Sequence, residues 1–143
     1  MPAPSLTTHV PTLNAAGARL VLAAAEAEAA KRQLKVSIAV VDNAGNLLAF
    51  HRTDGGAVTT IEAAIRKART AVHLGAPTKV FEDILNGGMT SLLAFEFISP
   101  SQGGIPLSLN GAIVGAIGSS GSTGDDDDAI ATAGATALTA AIT

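Results

Sequence analysis

The stretch Gly103-Gly104-Ile105-Pro106-Leu107-Ser108-Leu109-Asn110-Gly111-Ala112-Ile113-Val114-Gly115-Ala116-Ile117-Gly118-Ser119-Ser120-Gly121 decides the reading of this chain. Asn110-Gly111 is a strong hairpin signal, because a type I′ turn needs positive φ at both central residues. Ile105, Leu107 and Leu109 alternate before the turn, and Ile113, Val114 and Ile117 follow it. Strands are therefore expected over about 105–109 and 112–118. Glycines flank the hairpin at Gly103, Gly104, Gly118 and Gly121. Without side chains they let something come close to the backbone. A ligand held on main-chain N–H groups and a tight sheet with turn glycines both fit that pattern.

A second hairpin reads from Lys35 to Thr53. A β-branched strand over 35–41 leads into the turn Asp42-Asn43-Ala44-Gly45-Asn46, and 47–53 returns. Helices surround these hairpins. Leu13, Gly17, Leu20, Val21, Ala24 and Ala27 recur at helical spacing over about 13–33, with Thr12 as N-cap and a Glu28–Arg32 pair. A second helix is expected over about 60–74, opened by a capping box in Thr59-Thr60-Ile61-Glu62 and ended by Gly75 and Pro77. Thr78 would cap a short helix through Leu85, stopped by Gly87-Gly88. The segment 91–98 is ambiguous. A last helix is expected over about 126–141, with Ile130, Ala133, Gly134, Ala137, Leu138 and Ala141 on one face. The order predicts a single α+β domain over 1–143, an antiparallel β-sheet with flanking helices on one face or at its edges.

Composition narrows the function. The 143 residues are long enough for one buried core. Hydrophobic residues make up 48%, much of it alanine, while aromatics are only 3%. So few aromatics offer little surface for stacking bases. The net charge of −3 gives no basic footprint for nucleic acid or anionic membranes. The absence of cysteine removes disulfides, thiolate catalysis and Cys-ligated metal centres. No signal peptide pattern and no apolar run of membrane-spanning length stand out, so a cytoplasmic protein is the expectation.

Three segments carry a family resemblance. They are Val40-Val41-Asp42-Asn43-Ala44-Gly45-Asn46-Leu47-Leu48-Ala49-Phe50-His51-Arg52-Thr53-Asp54-Gly55, Ala63-Ala64-Ile65-Arg66-Lys67-Ala68-Arg69-Thr70-Ala71, and the Gly-Gly-Ile-Pro hairpin. In this order they resemble the GlcG/HbpS family, whose domain is shared with the C-terminal part of PduO-type proteins. The resemblance implies a profilin-like fold and assembly into homo-oligomers, dimers or larger rings. It also implies a small-molecule ligand, with haem as the cofactor of some members. Those members use a histidine near the N-terminus or a hydroxyl-bearing residue, a role His9 could fill. The family motif also places a lysine at Lys67.

Candidate chemistry gathers around the 47–73 region. Arg52 and Asp54 lie at the end of the Lys35–Thr53 hairpin, and Arg66, Lys67 and Arg69 give the second helix a local positive field. Arg52 or Lys67 would serve a bound carboxylate. The alternative is a solvated face with a Glu62–Arg66 pair. Lys67 or Asp54 would move protons, with His51 or His73 in reserve, although Asp54 equally suits a turn cap. Two functions follow. One is a binding protein holding a small planar ligand against the glycine-rich hairpin, with His9, Gly103, Gly104, Gly118 and Gly121 as its cofactor contacts. The other is a cofactor-independent lyase or rearrangement enzyme acting on an aromatic or short carboxylic acid through Lys67, Asp54, Arg52 and His73. The histidines lack metal-ligand spacing, and no metal site is assigned. Gly118–Gly124 has the look of a backbone nest for an anion or carbonyl. The run Asp125–Asp128 reads as N-terminal helix charge, with a weak divalent-ion site as the alternative; it departs from the family's shorter acidic element.

Overall fold

The computed structural model describes residues 1–142. Helix α1 spans Ala15–Lys31, strand β1 Ser37–Asp42, β2 Leu47–Arg52, helix α2 Thr59–Leu74 and α3 Thr78–Asn86. A 3-10 helix at Thr90–Ala94 resolves the ambiguous segment. Then come β3 Gly104–Leu109, β4 Ala112–Ser120 and α4 Gly124–Ala140. All pairings are antiparallel, in the order β2-β1-β4-β3. The architecture is α+β. Asn110 and Gly111 take φ of 51° and 81°, as a type I′ turn requires.

The helices cover both faces of the sheet, not one face or the edges as expected. Strand alternation sends Ile38, Val40, Leu107 and Ile117 towards α1 and α4, where Val21, Ala25, Ile130 and Leu138 meet them. Ala39, Val41 and Ala116 point the other way, onto Ala64, Ala68 and Ala71 of α2. The two layers differ in side-chain size for a physical reason. Glycines in β4 let α2 lie almost on the strand: a Cβ at Gly118 would collide with the Ala64 carbonyl oxygen. On the other face Gly134 of α4 lets α1 approach, with Val21 filling the space a side chain would need.

Three capping expectations are corrected. Asn14, not Thr12, caps α1, accepting from Gly17 N at 2.9 Å, while Thr12 accepts from Asn43 N. The Thr59–Glu62 box does not form; Thr60 instead reaches Ser37 Oγ at 2.8 Å and donates to the Ala57 carbonyl. Pro77 occupies the N-cap of α3, and the Thr78 hydroxyl accepts from Gly104 N at 2.8 Å. In each case a tertiary partner outcompetes the local bond. Gly75, at φ 69°, does end α2 as expected. Among the described residues no helix is long and apolar enough to cross a membrane.

Candidate functional site

The open end of β3 and β4, away from the Asn110 turn, is packed shut. Lys67 lies in the middle of α2, in line with the inward residues Ala64, Ala68 and Ala71, and is 4% exposed. Its ammonium donates to the Ser119 carbonyl at 3.0 Å and to Asp127 Oδ2 at 3.2 Å. Asp127 sits in the first turn of α4 and is 3% exposed. Its other oxygen accepts from Ser122 N at 3.1 Å. This ion pair runs past Gly103, where a side chain would strike Ser119 O, Asp127 and Lys67. It thereby joins the helix on one face of the sheet to a helix on the other.

Two readings of the sequence change on this geometry. The carboxylate that meets Lys67 is the chain's own Asp127. The backbone nest before α4 likewise holds an internal anion, since Asp127 draws on the amides of Gly121 and Ser122. Burial pushes the Asp127 carboxyl above the usual carboxylate range, with Lys67 and these two amides pulling against it.

The hairpin glycines were candidates for touching a ligand. Gly103, Gly104 and Gly118 are buried, and what comes close is α2 itself. A Cβ at Gly104 would meet the Lys67 carbonyl and the Thr78 methyl group. At Gly121, φ 145°, the neighbour is the carbonyl of Lys35. The glycine pattern signals close approach correctly and leaves the approaching group open.

The Asp125–Asp128 carboxylates do not converge on one point: Asp125 and Asp128 lie together at Gln102, and Asp126 and Asp127 have partners elsewhere. Asp125 accepts from Gln102 Nε2, Asp126 from Ser122 Oγ and Arg32 Nη1, and Asp127 from Lys67. The Ser122 and Thr123 bonds hold the Asp126 carboxyl below the usual range, and burial lifts that of Asp128. Among the described residues no group of three His, Asp or Glu could hold a metal ion.

The remaining candidates do not join Lys67. Arg52, the last residue of β2, and Asp54, two residues beyond it, are both exposed in the lead-in to α2. His73 is in the last turn of α2, about 9 Å along the axis from Lys67 at 1.5 Å per residue. Its ring stands over Gly45 and edge-on to Phe97, with centroids 5.8 Å apart. His51 is 3.6 Å from Glu26. The expected Glu62–Arg66 pair is absent among the described residues; Arg66 donates to the Glu96 carbonyl at 2.6 Å. The Glu28–Arg32 pair is present at 3.5 Å.

The turn end of the hairpin, by contrast, is open. A cleft of about 310 Å³ lies between the segment before α1 and the β3–β4 turn. Pro11, Leu13, Leu109, Val114 and Leu138 give it apolar walls, and Asn14 and Asn110 stand in its lining. Among the described residues no charged side chain lines it. The chain is pinned there by Leu13 N donating to Val114 O at 2.8 Å. His9, two residues ahead of Pro11, is exposed and makes no hydrogen bond or ion pair among the described residues. Sequence reasoning missed this cleft, since its walls come from segments about 100 residues apart. Leu109 and Val114 beside the turn were read only as strand residues, so nothing in the local pattern singled them out as cleft walls.

Comparison with known proteins agrees with this architecture and with the resemblance. Protein GlcG of Escherichia coli K12 is 39% identical over 101 residues, covering 71% of this chain and 75% of that protein. The crystal structure of a Streptomyces reticuli HbpS double mutant superposes with a TM-score of 0.86 at 35% identity, covering 96% of this chain and 98% of that one. A crystallised PduOC–haem complex gives 0.81 at 25% identity, covering 88% and 94%. The family model described as "Haem degrading protein HbpS-like" matches residues 13–136, so the chain belongs to the HbpS-like family.

Proposed function

We propose that this protein binds a small planar ligand, haem being the leading candidate, in the cleft at the Asn110 end of the sheet. The observation that carries the reading is an uncharged, apolar cleft beside a segment that presents a free imidazole. The family and the PduOC–haem relative support haem as the ligand.

The residues present fit such a group in part of its chemistry. His9 offers a nitrogen donor of the kind that holds haem iron, and Leu109, Val114 and Leu138 offer apolar contact for the edge of a macrocycle. With no cation in the lining, the propionates would stay in water. Bound haem supplies a redox-active iron. The chain's own part would be to hold the ring edge and to exclude water from it, with Asn14 and Asn110 as the polar groups of the lining. The small residues that crowd the helices also suit close subunit packing, and a homo-oligomer is part of this reading.

A hemin titration followed in the Soret region tests it, with His9→Ala and Ala112→Phe alongside. Ala112 lines the cleft and is half-buried, so the larger ring would fill the space. A saturable shift, lost with Ala112→Phe and weakened with His9→Ala, is expected. A shift unchanged in both variants overturns the reading. Light scattering of the purified protein measures the assembly.

A further inference from the structure

We propose a second binding site, for an aromatic carboxylate, on the exposed face of α2 where Arg66, Arg69 and His73 meet Phe95 and Phe97. It is separate from the cleft described above and draws on none of its residues.

On α2, positions 66, 69, 70 and 73 follow steps of three and four and so share one face. The loop after the 3-10 helix is bonded onto that face. Thr70 Oγ1 accepts from Ser99 N at 2.9 Å and lies 3.2 Å from the Phe97 carbonyl oxygen. Arg66 Nη2 donates to the Glu96 carbonyl, between the two phenylalanines. Arg69 Nε donates to the Gly45 carbonyl at 3.1 Å, and the His73 ring covers the same glycine. These bonds fix the cluster from three elements: α2, the β1–β2 turn and the loop after the 3-10 helix.

What they fix is unusual for this chain. It has four phenylalanines and no tyrosine or tryptophan, yet two of the four lie here, 53% and 43% exposed. Phe95 and Phe97 are edge-to-face at 6.2 Å, and Phe97 meets His73 in the same way. Large rings are normally the first residues to be buried. Each arginine donates to a backbone carbonyl, and neither forms an ion pair among the described residues. Among the described residues neither Glu62, four residues before Arg66, nor Glu96, whose backbone carbonyl Arg66 holds, forms an ion pair with either guanidinium group. Ring edges beside two fixed guanidinium groups match a planar aromatic anion: the ring packs against the phenylalanines, and the carboxylate takes paired N–H donors.

The probe is 2-naphthoate, titrated against the purified protein by its fluorescence. Cyclohexanecarboxylate, as a competitor, tests the need for an aromatic ring, and 2-naphthalenemethanol tests the need for charge. Saturable naphthoate binding is expected, with both controls weaker. Arg66→Gln and Phe95→Ala should each weaken it at least about tenfold, the scale of removing one charged hydrogen bond or one packed ring. Because Arg66 also ties down the loop, Phe95→Ala, at an exposed ring, is the decisive variant. Both variants should leave the hemin titration unchanged, which separates this site from the cleft. The proposal is overturned if wild type shows no saturable binding, if both variants bind as wild type, or if cyclohexanecarboxylate competes equally well. It is also overturned if Phe95→Ala lowers the mass of an oligomer while naphthoate fails to bind, since the face would then be an interface between copies.

Discussion

The two ends of the β3–β4 hairpin are built from opposite materials. At one end Gly103, Gly104 and Gly118 let α2 settle on the strands, and a buried Lys67–Asp127 pair fills what is left. At the other, the Asn110–Gly111 turn stands beside a cleft with apolar, uncharged walls. Charge is buried where the molecule is closed and missing where it is open. Glycine in a sheet thus marks a close neighbour, and the neighbour can be the protein's own helix. The open cleft is lined mainly by residues with ordinary side chains.

The largest test of this contrast breaks the closed end. Lys67→Met leaves Asp127 buried without its cation and should cost about 3–5 kcal/mol, measured by urea unfolding. Lys67→Met combined with Asp127→Asn should recover most of that loss, because the neutral amide keeps an acceptor for Ser122 N. A double variant as unstable as the single one would show that the pair is more than mutual compensation.

Next in size is the close approach at Gly118. Gly118→Ala sets a methyl group against the Ala64 carbonyl and should cost about 1–3 kcal/mol as α2 is pushed off β4. If its unfolding midpoint matches wild type, the close packing of that layer is not needed for stability.

A pH experiment sharpens the same comparison. The Asp127 carboxyl is raised in the folded state, so its contribution is greatest below the unfolded value and is lost as pH rises through the folded value. Lys67→Met removes the cation that opposes this shift, so the carboxyl should titrate still higher. Carbon-detected NMR of the Asp127 side chain follows it directly. Movement in the other direction would contradict burial as the ruling cause.

The smallest expected effect lies at the open end. Asn14→Ala removes the cap of α1 and should cost about 1 kcal/mol, with Asn14→Ser retaining most of the stability. Because Asn14 also lines the cleft, hemin affinity read in both variants separates the cap from the role in ligand binding.

Much of the fold was legible in the sequence. Asn110-Gly111 between alternating apolar residues gave the hairpin, Gly75 gave the end of α2, and the stripe through Ile130 and Leu138 gave α4. Which face each helix would cover was not legible, because alternating strands of small residues serve either side. Asp127 is instructive. It stands three and four residues before Ile130 and Ala131 on the same inward stripe, so its burial could have been read from helical register. Its cation could not, since Lys67 is sixty positions away and only the packed sheet brings the two together. The four-aspartate run looked uniform for the same reason: identical letters conceal the different partners of Asp125, Asp126 and Asp127.

That run has a consequence for changes in length. Losing one aspartate would barely alter composition or charge, yet it would turn the rest of α4 by about 100° against its first turn. Ile130 and Leu138 would swing away from the sheet, or Arg32, Gln102 and Lys67 would each face the wrong carboxylate. The segment should therefore accept exchanges of residue type at Asp125 more readily than any insertion or deletion, with the four aspartates acting as a ruler that indexes the helix to its surroundings.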